Sequence, residues 1–185
     1  MQWMEPRSST SRRWALITER YCFYCGTQLE VVKKETGAGK KMRFFCPKCH
    51  AKFYSNPVPA VAALVLQDEK LLLVRRAVPP NAGSWCLPGG FVESGESTLE
   101  ALSRELFEET GLREKATTLI DVVSFVDSDP DRKGVIIIGY MVGTFEGQLR
   151  PGDDAEEVRF FSLNDLPSIP FSSHRALIGR IQQMA

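Results

Sequence analysis

Three carboxylates crowd into five positions of this chain, Glu105, Glu108 and Glu109. On a helix they stand at i, i+3 and i+4, which share one side. Like charges at that spacing repel by roughly a few tenths of a kcal/mol per pair. A hard divalent cation with oxygen ligands would offset that repulsion. A second set of donors is sulfur. Four of the five cysteines form two pairs, Cys22-Phe23-Tyr24-Cys25 and Cys46-Pro47-Lys48-Cys49, with 20 residues between them. Two C-x2-C pairs read as one tetrahedral site with four thiolate ligands for zinc. Iron suits the same thiolate geometry, and disulfide pairing is the other alternative.

Each set needs a scaffold. For the carboxylates the sequence predicts a helix. Ser97 and Glu100 have the capping-box spacing ahead of an apolar run. Leu99, Leu102 and Leu106 have the spacing of a core-facing stripe, on a different side from the three glutamates. Gly111 suits the left-handed residue that ends a helix. Gly89-Gly90 and Gly95 mark a loop before it. For the cysteines, Gly26 and Pro47 are the turn residues. The intervening LEVVKKE and KKMRFFC are strand-like, and TGAGK joins them as a hairpin.

Residues 90–112 resemble the Nudix box, G-x5-E-x7-R-E-U-x-E-E-x-G-U, where U is a bulky apolar residue. The chain reads Gly90, Glu96, Arg104-Glu105-Leu106, Glu108-Glu109 and Gly111-Leu112, with every fixed position filled. The resemblance implies that Glu105, Glu108 and Glu109 ligate Mg2+ or Mn2+, and that Arg104 holds them by a salt bridge. It implies that Glu96 supports the metal site and that the carbonyl of Gly89 or Gly90 is a further ligand. It implies cleavage of a diphosphate linkage in a nucleoside diphosphate joined to another group. Residues 56–185 are then an α/β/α Nudix sandwich with a mixed sheet. The cysteine segment resembles a zinc ribbon, so residues 20–55 are expected to be a small β-hairpin module and residues 1–19 an extension.

Further elements follow from apolar runs. Residues 60–66 and 70–76 read as a hairpin around Gln67-Asp68-Glu69, and residues 78–84 as a loop. Residues 116–126, 135–145 and 158–162 read as strands, and Ser172 or Ser173 as the cap of a final helix. Arg75 or Arg76 is the candidate for a substrate phosphate. A late acidic loop carries Asp153, Asp154, Glu156 and Glu157. By resemblance it would supply a further ligand or base, with Glu156 and Glu157 the candidates. Cys86 reads as a small apolar filler. His50 reads as an onlooker to a filled thiolate shell, and His174 as a capping or surface residue.

The formal charge is zero but uneven. Residues 1–57 carry 11 Lys+Arg and 4 Asp+Glu, and residues 58–185 carry 12 and 19. No apolar run approaches the roughly 18 residues of a membrane span, and no apolar h-region marks a secretory signal. A cytoplasmic protein is therefore expected. A small nucleotide is the expected partner, and the resemblance leaves a homodimer open. NADH pyrophosphatases carry an S-Q-P-W-P-F-P-x-S motif that is missing here. ADP-ribose pyrophosphatases commonly have a proline nearer to the box than Pro130, which lies eighteen residues beyond Leu112. The expected substrate is still ADP-ribose, a related dinucleotide or a nucleotide sugar. Phe91, Phe125 and Tyr140 are candidates to stack on its base. The alternative is a nucleotide sensor or nucleic-acid binder using the basic ribbon, with Tyr21, Phe23, Tyr24, Phe44 and Phe45 stacking on bases. The intact carboxylate set argues for turnover. On that reading nucleic acid is not a partner, and the aromatics fill the ribbon core.

Overall fold

A run such as VPAVAALVLQ, apolar at nearly every position, suits a strand covered on both faces. The computed structural model places it there. The model describes residues 20–36, 39–54, 56–125 and 134–184. It divides into two compact units, Met1–Ser55 and Asn56–Ala185.

In the second unit that run is β4 (Val58–Gln67). The flanking strands are β5 (Lys70–Arg76), β6 (Trp85–Cys86), β7 (Leu112–Phe125), β8 (Val135–Gly147) and β9 (Ala155–Ser162). They form a mixed sheet in the order β6-β5-β4-β8-β7, with β9 also paired to β5. β4 runs parallel to β8 from Val58↔Val135 to Val65↔Val142. It then turns through Asp68 and Glu69, both at positive φ, into an antiparallel hairpin with β5. Side chains alternate along a strand, so β4 serves two cores. Ala60, Ala62 and Leu64 pack with Leu71, Leu73 and the helix residues Leu177, Ile178 and Ile181. Val61, Ala63 and Val65 pack with Leu72 and the helix residues Ala101, Leu102 and Leu106. Helices α1 (Thr98–Thr110) and α2 (Ser172–Gln182) therefore cover opposite faces, completing an α/β/α sandwich. At Gly139 the second helix comes so near that an added Cβ would lie 2.5 Å from Leu177 Cδ2.

Helix α1 starts and stops as its sequence predicts. Ser97 accepts from Glu100 N–H at 3.2 Å, and Glu100 accepts from Ser97 N–H at 2.7 Å. Gly111 closes it at φ 72°. The buried stripe is rotated from the expected one. Leu99 is 49% exposed, while Ala101, Leu102, Leu106 and Glu109 are buried. The first turn meets the sheet through Thr98, whose hydroxyl bonds the Tyr140 hydroxyl at 2.7 Å. Leu99, one residue on, is about 100° around the helix and faces out. Helix α2 has Phe171 as its N-cap residue and no side-chain cap, so neither Ser172 nor Ser173 plays that part. Instead Arg175 bonds back to the carbonyls of Ile169 and Pro170, at 2.6 and 2.8 Å.

The first unit is a zinc-ribbon module, with β1 (Glu30–Thr36), β2 (Gly39–Phe45) and β3 (Lys52–Phe53) in that order. Its two cysteine turns are built alike. Gly26 N–H bonds Cys22 O at 2.7 Å and His50 N–H bonds Cys46 O at 2.9 Å. Gly26 and His50 both have positive φ, 67° and 60°. His50, not Pro47, is thus the counterpart of Gly26. The core is small: Cys22, Phe44 and Cys46 are its buried apolar residues among those described. Of the aromatics expected to fill it, Phe44 does and Phe45 is half-buried, but Tyr21, Phe23 and Tyr24 are exposed. No helix among the described residues is long and apolar enough to cross a membrane.

Candidate active site

Arg104 is the hub of the acidic side of α1. Its guanidinium bonds Glu96 at 2.7 Å, Glu105 at 2.8 Å, Glu108 at 3.2 Å and the carbonyl of Phe91 at 3.1 Å. One cation thereby aligns three carboxylates that would otherwise repel. Its bond to Glu96, followed by that to Glu105, pushes the Arg104 pKa above its ordinary value. The same contact holds the Glu96 carboxyl below the usual carboxylate range, helped by a bond from Glu93 N–H.

Glu109 is different. It lies on the packed face of α1 and is only 3% exposed. The sequence places it with Glu105 and Glu108 on the solvent side. The rotated stripe turns it inward, where Gly89 N–H donates to its Oε2 at 2.8 Å. Burial pushes its pKa up to about 8, and Asp154 and Glu105 add to that while the Gly89 bond opposes it. Glu105 is also raised, again mainly by burial. Its carboxylate lies over Gly90, where an added Cβ would meet Oε1 at 2.3 Å. A side chain at Gly90 would therefore displace a box carboxylate.

The loop before the helix is fixed by backbone bonds to β4. Val61 N–H bonds Gly90 O at 2.9 Å and Ala63 N–H bonds Pro88 O at 2.8 Å. Gly89 sits at φ 142°, and a Cβ there would come within 2.2 Å of Val61 O. The carbonyls on either side of Gly89 are thus turned to the sheet, which favours Gly89 over Gly90 as a carbonyl that can face a bound ion.

The late acidic loop reaches this site through residues other than those the sequence favours. β9 begins at Ala155, three residues before the expected start, so Glu156 and Glu157 are strand residues. They pair with Arg75 at 2.8 and 3.3 Å, and Glu157 also pairs with Arg159. The loop proper packs on the end of α1, with Gly152 N–H bonded to Glu109 O at 3.2 Å. It brings Asp154 into hydrogen-bonding reach of Glu109, and Asp153 close enough to act on Glu105. Arg76 joins this group, 3.7 Å from Asp154 and bonded to Pro80 O at 2.9 Å. Of the arginine pair, Arg76 is therefore near the box and Arg75 is committed to two glutamates. Among the aromatic candidates, Tyr140 is buried and bonded to Thr98, while Phe91 and Phe125 are exposed. Residues 126–133, Pro130 among them, lie outside the described residues.

His174 is neither a cap nor a surface residue. Its Nδ1 accepts from Leu87 N–H at 3.1 Å, which pins the strand entering the Pro88-Gly89-Gly90 loop. Burial, with Arg76 nearby, pushes its pKa down to about 4, so it is a neutral acceptor at pH 7. Only the fold makes this contact, since 87 residues separate the two. His174→Ala should cost about 1–3 kcal/mol, the usual penalty for a buried donor left unpaired, as read by urea denaturation at pH 7.5. Because the folded-state pKa is depressed, the contribution is full above the ordinary histidine value. It is lost as pH falls toward 4. An unchanged denaturation midpoint at pH 7.5 would remove His174 from this role.

The thiolate site is equally compact. The four ligand sulfurs of Cys22, Cys25, Cys46 and Cys49 lie within 4.8 Å of one another. Cys22 faces Cys49 and Cys25 faces Cys46 at 3.5 Å, and all four are unbridged. A tetrahedral zinc–thiolate centre needs sulfurs about 3.8 Å apart, so these residues fit one, and the disulfide alternative does not hold. Cys86 is a buried thiol whose pKa burial pushes up to about 12, as suits an inert filler.

Residues 56–178 match the NUDIX domain family. The chain is 43% identical over 126 residues to an ADP-ribose pyrophosphatase of Methanocaldococcus jannaschii, covering 68% of this chain and 74% of that protein. It is 30% identical over 155 residues to the NAD-capped RNA hydrolase NudC of Chromobacterium violaceum. That match covers 83% of this chain but only 54% of the relative, so the chain spans about half of that protein's length. Among solved structures it is similar to a Nudix hydrolase from Nitrosomonas europaea. The TM-score is 0.68 at 26% identity, over 89% of this chain and 90% of that one. The matched region takes in the sheet and the capped acidic helix on which this site is built, and the chain belongs to the Nudix family of hydrolases.

Proposed function

We propose that residues 56–185 hydrolyse the diphosphate linkage of ADP-ribose or a closely related dinucleotide or nucleotide sugar. The observation that carries this reading is the convergence of Glu105, Glu108, Glu109 and Asp154 around Arg104 and the Gly89 loop. The likeness to an archaeal ADP-ribose pyrophosphatase supports the choice of substrate. The donors are hard oxygens at high charge density, which fits Mg2+ or Mn2+ rather than a softer ion. Such an ion would neutralise phosphate charge and lower the pKa of a bound water. Glu105, Glu108 and Glu109 would hold it, with the Gly89 carbonyl. Arg104 and Glu96 keep those carboxylates oriented, and Arg76 stands where it can meet a phosphate. Residues 20–55 would form a separate domain around a structural Zn2+, preceded by an extension, residues 1–19.

The test is phosphate release, coupled to a phosphatase, from ADP-ribose, NADH, FAD, nucleotide sugars and diadenosine polyphosphates with Mg2+ or Mn2+. ADP-ribose or a nucleotide sugar should lead the panel. No turnover of any compound would overturn the reading.

The raised Glu109 pKa makes a separate prediction. Below about pH 8 an entering ion must displace a proton. Apparent Mn2+ affinity should therefore rise about fifty-fold from pH 6 to pH 8, as calorimetric titration would show. The sign for the metal-free fold is opposite. It holds this proton more tightly than the unfolded chain does, so its stability falls as pH rises from the ordinary carboxylate range toward 8. Glu109→Gln should flatten both profiles.

A further inference from the structure

The ribbon presents aromatic rings that its own fold does not use. Phe23 and Tyr24, between the first two cysteines, are 75% and 70% exposed. Their rings lie 4.1 Å apart, and Phe53 stands 5.1 Å from Phe23 and 6.2 Å from Tyr24. The three form one cluster, half-buried at Phe53 and facing outward at Phe23 and Tyr24. Tyr54 adds a further ring, 58% exposed, with the Arg43 guanidinium 4.8 Å from its centroid. Phe44 alone among the ribbon's aromatic rings is buried. Exposing large rings in so small a unit is costly in water, and the thiolate centre already supplies its core.

The charge of the same segment narrows what such a surface would bind. Residues 20–54 carry eight Lys+Arg and two Glu, a net of +6. A zinc–tetrathiolate centre would still leave about +4. An acidic protein surface would satisfy the charge without needing the rings. An apolar segment would satisfy the rings without needing the charge. A single-stranded nucleic acid offers flat bases and linked phosphates together, and stacking platforms in basic surroundings are how such strands are held without strict sequence preference.

We propose that the zinc ribbon is a single-strand nucleic-acid platform, with Phe23 and Tyr24 as the stacking residues and the net positive charge of the segment attracting the phosphates. The assignment does not depend on which diphosphate the second unit cleaves.

The zinc-loaded full chain would be titrated with fluorescein-labelled 20-mers of uridine and deoxythymidine, and with inorganic polyphosphate as a polyanion without bases. Binding of the 20-mers should be salt-dependent and tighter than that of polyphosphate. The Phe23→Leu/Tyr24→Leu pair should weaken 20-mer binding at least about tenfold, as loss of stacking does. It should leave polyphosphate binding, zinc content and phosphate release from ADP-ribose unchanged. Phe23→Trp should keep binding and report it by quenching of the added indole. Equal binding of 20-mers and polyphosphate, both indifferent to the Leu pair, would overturn the proposal. So would the absence of 20-mer binding at low salt, or an indole that no 20-mer quenches. If the Leu pair loses zinc, the Phe23→Trp reading decides.

Discussion

Glu109→Gln should cut turnover by roughly a thousandfold or more while leaving the fold intact. The size follows from what an ion-holding carboxylate is worth. Metal-ion stabilisation of a phosphoryl transition state supplies several kcal/mol, and each 1.4 kcal/mol or so is about tenfold in rate. The tolerance of the fold follows from the geometry. Glutamine has the shape of glutamate, and its side-chain oxygen can still accept from Gly89 N–H, now at 2.8 Å. What it cannot supply is charge. The charge is what the protein's interior resists, since burial is the first cause of the raised Glu109 pKa. The variant should therefore be at least as stable as the parent in the absence of metal above neutral pH, and yet inactive. That opposition separates a ligand from a structural residue, which would lose both together. Glu156→Gln is the control. Its carboxylate pairs with Arg75 on the sheet, so turnover should stay near that of the parent. The measurement is kcat for phosphate release across a Mg2+ titration, beside a denaturation curve for each variant. Parental turnover in Glu109→Gln would end the assignment of this carboxylate to the metal.

Where sequence reading succeeds here, the signal is local. The ends of α1 are legible because a capping box and a left-handed glycine act within one helical turn, at Ser97, Glu100 and Gly111. The spacing of Glu105, Glu108 and Glu109 shows that they can meet. It does not show which of them faces inward. That depends on which helix side meets the sheet, where Ala101, Leu102 and Leu106 pack and Thr98 bonds Tyr140, 42 residues away. The same limit explains the acidic loop. The four carboxylates of Asp153, Asp154, Glu156 and Glu157 look alike until β9 is known to begin at Ala155. Pairing with β5 then draws Glu156 and Glu157 to Arg75 and leaves Asp153 and Asp154 in the loop against α1. His174 is the extreme case. Nothing within its own helix suggests that it accepts a bond from Leu87, and only the packing of α2 against the sheet makes it visible. The glycines divide similarly. Gly111 is readable from its helix, but Gly90 is explained only by the carboxylate of Glu105 lying over it.

Removing zinc should unfold the first unit and spare the second. Cys22→Ser, or chelation, should collapse the backbone amide signals of residues 20–54 in an NMR spectrum. Those of residues 56–184 should stay dispersed. The ribbon has little else to hold it. Its buried apolar residues among those described are Phe44 and two of the cysteines themselves. A unit of this size seldom folds without a metal or disulfides, and these cysteines are unbridged. Zinc binding to a four-ligand site couples about 10–16 kcal/mol to folding at neutral pH, more than so small a core can replace. The second unit has its own buried cores, including one under each helix. A ribbon that stays dispersed with no bound zinc would contradict this account. The same sample assigns the work of the two units. If phosphate release from ADP-ribose survives chelation of zinc while 20-mer binding is lost, bond cleavage belongs to the second unit and nucleic-acid binding to the ribbon. If both stay lost after Mg2+ is restored, while residues 56–184 remain folded, turnover depends on the folded ribbon and not on the box carboxylates alone.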